Sequence, residues 1–338
     1  MAVLAVVCAA AISIHYVRPL FRTDRALRDS ELSPNRTSEI LPPPRAPLRT
    51  AQDIAALKRE ELGLAETLMR DFPGNADSLI IMGNVWYRYG DAVTALKYYE
   101  KALEINPRRA DVYDVMGQCA LEKGLFGEAI GHWRTALSLN PRLPNVHSNI
   151  GHALMISGKS DEAVEELEKE IQISPTSSLA YFLLGQAHKM QKEYEKAKES
   201  YEGAIRVDPE YANAYYGLAN VCTKLGKSDE AESYSETFKR LKAEARKDLK
   251  DRKVVYDDIV ETQKLAALTY VEVGRMYLGN GQLQKAEGFL REAVALDREN
   301  AVCLEELAAL YQAEGNPAKA LVIYKQYRDL YKVIQQRN

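Results

Sequence analysis

Two tripeptides, Gly158-Lys159-Ser160 and Gly226-Lys227-Ser228, carry the ending of a phosphate-binding loop. Such a loop also needs a glycine upstream of its Gly-Lys pair, so that backbone N–H groups can close on a phosphate. Ala153 and Val221 occupy those places, so neither tripeptide reads as a nucleotide site. The histidines are His15, His132, His147, His152 and His188. None falls in a His-Glu-x-x-His run or pairs with a cysteine at zinc-ligand spacing. Cys119, Cys222 and Cys303 stand far apart and read as buried, inert thiols. A Gly-x-Ser-x-Gly nucleophile elbow is missing as well. The expectation is a non-catalytic protein with no cofactor and no metal, whose chemistry lies in a recognition surface.

That surface must be carried by helices. The chain has 338 residues, 46% of them hydrophobic and 28% charged, enough to bury a core. A net charge of −3 argues against a nucleic-acid partner. Residues 1–17 are apolar, with no acid or base before Arg18. They read as a membrane anchor or a signal segment, followed by Arg18, Arg22, Arg25 and Arg28. The expected placement is therefore membrane-anchored by one N-terminal helix, or exported, with the side of the membrane open. Residues 18–50 read as a linker, with Pro34, Pro42, Pro43, Pro44 and Pro47 favouring extended backbone.

From residue 51 the sequence repeats. Pro73, Pro107, Pro141, Pro175 and Pro209 follow one another at a single constant interval. Gly83, Gly117, Gly151 and Gly185 keep the same interval, and so do Ala95, Ala129, Ala163, Ala197 and Ala231. That period, about 34 residues, lies in the range that marks a repeat array. Gly90, Gly124, Gly158 and Gly226 share the frame, with Lys192 in the one slot that lacks glycine. Each proline closes a unit, because it has no N–H and restricts the residue before it. The second glycine of each unit allows a tight turn between two amphipathic helices, A and B. The first glycine and the alanine lie mid-helix, where small residues let helices approach closely.

In the first full unit, Leu79, Met82, Gly83, Trp86, Ala95, Tyr99, Ala102 and Pro107 resemble the tetratricopeptide repeat family. The resemblance covers roughly residues 50–333. It implies an all-α, right-handed superhelical solenoid of antiparallel helix pairs, preceded by the N-terminal apolar helix and linker. About seven repeats plus a leading helix would follow one another in a quasi-linear array over 51–333. The frame slips once: the step from Ala231 to Ala286 exceeds one period and falls short of two, and no Pro or Gly occurs from Lys227 to Val273. An elongated helix insertion is expected near 235–266, as two helices over about 228–252 and 258–279, the second starting at the capping pair Asp258 and Glu261.

In this family helix A lines the concave face, which makes the groove residues predictable. Asn84, Gln118, His152, Gln186 and Asn220 recur once per repeat and are placed to hydrogen-bond an extended peptide. Asn149 matches a groove asparagine of the family. Ile81, Val115, Met155, Phe182, Leu183 and Tyr216 are expected beside them, together with Ile80, Ile156 and Met190, as apolar contacts for a peptide or helix. Members that clamp a carboxylate terminus use Lys and Arg at places held here by Ile80, Asp114, Leu179 and Leu183, which disfavours that subtype. The function implied is a scaffold holding a protein or peptide in its concave groove. The alternatives are self-assembly through Tyr327, Leu330 and Tyr331 near the C-terminus, or an accessory subunit of an enzyme complex. Lys239–Lys253 holds eight basic and three acidic residues, read as a solvated face or as a contact for an acidic partner.

Overall fold

The computed structural model describes residues 40–46, 48, 51–251 and 254–337, with the side chains of 51, 247–251, 254–260 and 329–337 left aside. The described residues form fifteen helices and no strand. They are α1 (Ala51–Asp71), α2 (Ala76–Arg88), α3 (Ala92–Ile105), α4 (Ala110–Glu122), α5 (Phe126–Leu139), α6 (Val146–Ile156), α7 (Ser160–Ile173) and α8 (Ser178–Met190). There follow α9 (Tyr194–Val207), α10 (Ala212–Lys224), α11 (Ser228–Asp251), α12 (Val254–Gly279), α13 (Leu283–Leu296), α14 (Ala301–Ala313) and α15 (Pro317–Arg337). They separate into two units. One takes the described residues up to Tyr98 together with Val254 onward; the other is Tyr99–Lys253.

In the second unit, α4/α5, α6/α7, α8/α9 and α10/α11 pair as A and B helices, and each B helix packs on the next A helix. One large side chain per pair sets the spacing. Trp133, Leu167 and Tyr201, each fully buried, lie against Gly117, Gly151 and Gly185 of the preceding helix A. A methyl group on Gly185 would stand 2.6 Å from the Tyr201 ring, and one on Gly217 of α10 would stand 2.7 Å from it. The ring is wedged between two successive A helices, which explains why glycine sits mid-helix despite its cost of about 1 kcal/mol.

The turns between A and B helices close with left-handed glycines, among them Gly124, Gly158 and Gly226 at φ 74°, 77° and 72°. Lys192 takes their place at φ 64°. Its turn closes in the same way: Glu193 N–H donates to the His188 carbonyl at 2.9 Å, as Lys159 does to Leu154 and Lys227 to Cys222. The repeat frame therefore imposes a glycine conformation on a lysine.

The first unit is assembled from both ends of the chain. Besides the pairs α1/α2, α12/α13 and α14/α15, helices α1 and α2 both pack on α12. Its core joins Leu68, Met82 and Val85 to Tyr270, Val273, Leu290, Leu304 and Ile323. At one end Tyr277 stacks on Phe289, with ring centroids 5.1 Å apart, and meets Phe72 edge-on at 5.2 Å. Its hydroxyl donates to Asp71 at 2.6 Å. Between the helices lies Glu61 of α1, 1% exposed. Its carboxylate accepts from Arg88 of α2 at 3.1 Å, from Thr269 of α12 at 2.7 Å, and from the Tyr89 hydroxyl. Helices far apart in the sequence, α1, α2 and α12, thus meet at one buried carboxylate, a contact that the repeat order alone does not give.

Two further expectations are corrected. Helix α12 runs from Val254, ahead of the start expected at Asp258. The membrane-anchored placement is overturned: among the described residues no helix is long and apolar enough to cross a membrane. The anchor or signal segment 1–17, the N-terminal apolar helix and the linker up to residue 39 lie outside the described residues.

Replacing Lys192 with glycine should relieve the left-handed strain and raise stability by about 0.5–1 kcal/mol, after allowing for glycine's larger unfolded-state entropy. The urea midpoint of Lys192→Gly checks this; an unchanged or lower midpoint contradicts it.

Candidate interaction surface

The described residues supply little for catalysis. Burial pushes the Cys119 thiol up to about 12 and raises those of Cys222 and Cys303, so none is a thiolate at neutral pH. No group of three or more potential metal ligands occurs among the described residues. A polar cleft of about 540 Å³ between α7, α8 and α9 is lined by His188, Glu193, Lys196, Asp161 and Gln191. These groups bond one another: His188 Nδ1 lies 3.0 Å from Glu193, Lys196 lies 3.0 Å from Glu193, and Gln191 donates to Asp161 at 2.7 Å. These five polar groups thus bond within the cleft rather than converging on an open centre.

The row of polar residues expected on the A helices divides between the units. Gln118, His152, Gln186 and Asn220 lie half-buried on α4, α6, α8 and α10 of the second unit. Asn84 lies in the first unit and donates to Glu272 of α12 at 3.3 Å, so it is engaged by the chain itself. Two of the remaining donors also serve local bonds: Gln118 donates to Asp114 at 3.4 Å and Asn220 to the Tyr216 carbonyl at 2.9 Å. Asp114 in addition accepts from the Trp133 indole at 2.9 Å, and burial holds its carboxyl above the usual range. Burial lowers the pKa of His152, which leaves a neutral imidazole at pH 7.

The apolar residues expected beside this row are mostly core. Ile81, Met155 and Leu183 are 4%, 7% and 6% exposed. A charge at Leu183 would disrupt packing rather than probe a groove. Ile80 is buried too, while Val115 and Asn149 are half-buried. Phe182 is held in an aromatic cluster, 5.8 Å from the Tyr201 ring and 5.3 Å from the Tyr211 ring. Of the apolar residues expected there, Ile156, Met190 and Tyr216 are exposed, Tyr216 most of all, at 56%.

Tyr216 leads to a residue that sequence reasoning missed. Its ring lies 5.2 Å from Phe238 of α11, and Lys242 lies 5.9 Å from the face of Phe238. The exposed bases Lys239, Arg240, Lys242 and Arg246 follow on the same helix. The pairing of Phe238 with Tyr216 depends on how α10 and α11 close, which no spacing within either helix reveals. In the first unit, Tyr327 of α15 is half-buried against the core. The side chains of Leu330 and Tyr331 lie outside the described residues.

Known repeats match this chain in places. A tetratricopeptide-repeat model matches residues 144–177, 212–244 and 267–300, and a second TPR model matches 189–226. Among solved structures, the C-terminal part of a TPR repeat-containing protein from Cytophaga hutchinsonii is 20% identical, with a TM-score of 0.50 over 75% of this chain and 96% of its own. MamA from Desulfovibrio magneticus RS-1 is 22% identical, with a TM-score of 0.45 over 51% of this chain and 96% of its own. YrrB, described as a TPR protein with an unusual peptide-binding site, is 18% identical, with a TM-score of 0.46 over 56% of this chain and 98% of its own. These likenesses bear on fold alone. No curated protein matches the sequence.

A side-chain hydrogen bond ties an A helix carrying the row to its B helix. His147 Nδ1 of α6 lies 2.6 Å from Glu166 of α7, which also accepts from Lys169 at 2.9 Å. The hydrogen bond from His147 outweighs burial and holds the Glu166 carboxyl at about 2, against an ordinary 4.5. A lowered carboxylate pKa contributes stability that is complete above the ordinary value and lost as pH falls through the folded one. Glu166→Gln should therefore cost about 1–3 kcal/mol at pH 7 and flatten the loss of stability between pH 4.5 and 2. Denaturation series at pH 7, 4 and 2.5 test this; parallel losses in both proteins contradict it.

Proposed function

We propose that this chain, matched in part by tetratricopeptide-repeat models, is a non-catalytic interaction scaffold that binds an extended segment of a protein partner along the A helices of its second unit. The observation carrying this reading is the exposed Tyr216 ring paired with Phe238, beside Asn220 and the exposed bases of α11. A monomeric surface gains nothing by exposing a paired aromatic step, whereas an aromatic anchor with a polar rim suits recognition. Gln118, His152, Gln186 and Asn220 extend that anchor as a line of polar groups across four A helices. Val115 and Asn149 lie between them, half-buried. The A helices are fixed by the wedged Trp133, Leu167 and Tyr201, so the surface is preformed and binding orders only the partner.

The ligand favoured is an extended segment with an aromatic or large apolar side chain for Tyr216 and Phe238. Acidic residues beside that anchor would meet Lys239, Lys242 and Arg246. Rim charges of this kind raise association rates and select register more than they raise affinity.

Display of a random peptide library against the full chain tests the reading. Wild-type protein should enrich peptides with an aromatic residue flanked by Asp or Glu. Tyr216→Glu, at an exposed position, should reduce that enrichment at least tenfold without changing helicity or thermal midpoint. Equal enrichment by the two proteins would refute the surface assignment.

A further inference from the structure

Residues 40–46, Ile-Leu-Pro-Pro-Pro-Arg-Ala, precede the first repeat helix and have no regular secondary structure past Leu41. They are nevertheless held through their backbone at four points. The Ile40 carbonyl accepts from Arg291 of α13 at 2.7 Å, and the Pro42 carbonyl accepts from Arg298, just beyond α13. Arg45 N–H donates to the Ala295 carbonyl at 2.7 Å. The Ala46 carbonyl accepts from Gln263 of α12 at 3.3 Å, and Gln263 is itself buried. Pro42, Pro43 and Pro44 bring no N–H to this stretch, so they place no unanswered donor against the surface.

Side chains take part as well. Ile40 and Leu41 pack against the core of the first unit, and Pro42 is buried. The Arg45 guanidinium makes a two-pronged pair with Glu60 of α1, at 2.6 and 3.1 Å. Tyr270 of α12 orients the same carboxylate by donating its hydroxyl. Arg45 and Tyr270 hold the Glu60 carboxyl below its usual range against the opposing effect of burial.

A chain segment that merely covers a core needs apolar contact. This one is read as well through its carbonyls by arginine and glutamine side chains, through the buried Pro42 by shape, and through one arginine by a positioned carboxylate. Those are the means by which a protein recognises a separate extended peptide. We propose that the surface made by α12, α13 and Arg298, with Glu60 of α1, is a binding site for extended proline-rich peptides of the pattern apolar-apolar-Pro-x-x-Arg. Residues 40–46 are its resident ligand, and a segment of the same pattern on another protein exchanges with them. The site uses none of the residues of the second-unit surface, so either assignment can fail without the other. Tethering gives the resident segment an effective concentration in the millimolar range, so a competing partner succeeds only at comparable local concentration or when the segment is drawn away.

The test uses the full chain and a labelled synthetic peptide copying residues 38–48. In one form of the protein, Leu41→Ser, Pro42→Gly and Arg45→Ser loosen the resident segment; the other form is wild type. Fluorescence anisotropy should show at least tenfold tighter binding to the loosened chain. Adding Arg291→Ala and Arg298→Ala to that chain should remove the gain. Equal affinity for the two forms, no binding to a loosened chain of wild-type helicity, or a gain that survives the arginine substitutions overturns the proposal. If the loosened chain loses helicity, hydrogen exchange on the wild-type protein decides. Unlabelled peptide at about millimolar concentration should speed exchange of the Arg45 amide at least tenfold while α12 and α13 keep their protection. An unchanged Arg45 rate, or loss of protection in α12 and α13 as well, overturns it.

Discussion

A carboxylate removed from water must be matched by partners or it costs several kcal/mol, and Glu61 is such a carboxylate. Its partners come from its own neighbour α2, through Arg88 and Tyr89, and from α12, through Thr269. Any arrangement that parts α1 from α12 leaves a buried charge or a buried arginine unanswered. The first unit follows from this requirement. Leu68 and Met82 can share a core with Tyr270 and Leu290 because the charge between their helices is satisfied, and the platform for residues 40–46 exists because α1 brings Glu60 beside Tyr270.

The second unit depends on a different and more local rule. A large B-helix side chain seats on a small residue of the A helix before it, always at the same offset, as Trp133 on Gly117 and Leu167 on Gly151 show. Seating fixes the distance and rotation of each helix pair, and with them the part of each A helix that remains open. Along α4, α6, α8 and α10 that part carries Gln118, His152, Gln186 and Asn220. The same geometry turns Met155 and Leu183 into the core. The proposed recognition surface is thus a by-product of close packing, and its most exposed apolar feature is Tyr216 on Phe238.

This difference explains what could be read from the sequence. The helix pairs, the turns and even the glycine-like backbone of Lys192 were legible because each depends on residues within one repeat period. The two long helices were legible because no proline or glycine interrupts them. The meeting of α1 with α12 was not: in Lys58-Arg59-Glu60-Glu61 the two acids look alike, and only the distant contact with Thr269 separates a buried hub from its neighbour. Ile81 misled for a related reason. Its position on helix A suits an open face, but in the first unit it joins the same core as residues of α12. Residues 40–46 read as a linker because a run of prolines favours extended backbone; the arginines that hold them, Arg291 and Arg298, lie about 250 residues further along the chain.

Hydrogen exchange on the full chain carrying Glu61→Gln is the most direct test of the claim that one buried carboxylate joins α1 and α2 to α12. Amides of α1, α2 and α12 should lose protection together, while those of α4 to α10 exchange as in the wild type. Fraying of α1 alone, with α2 and α12 unchanged, would contradict it.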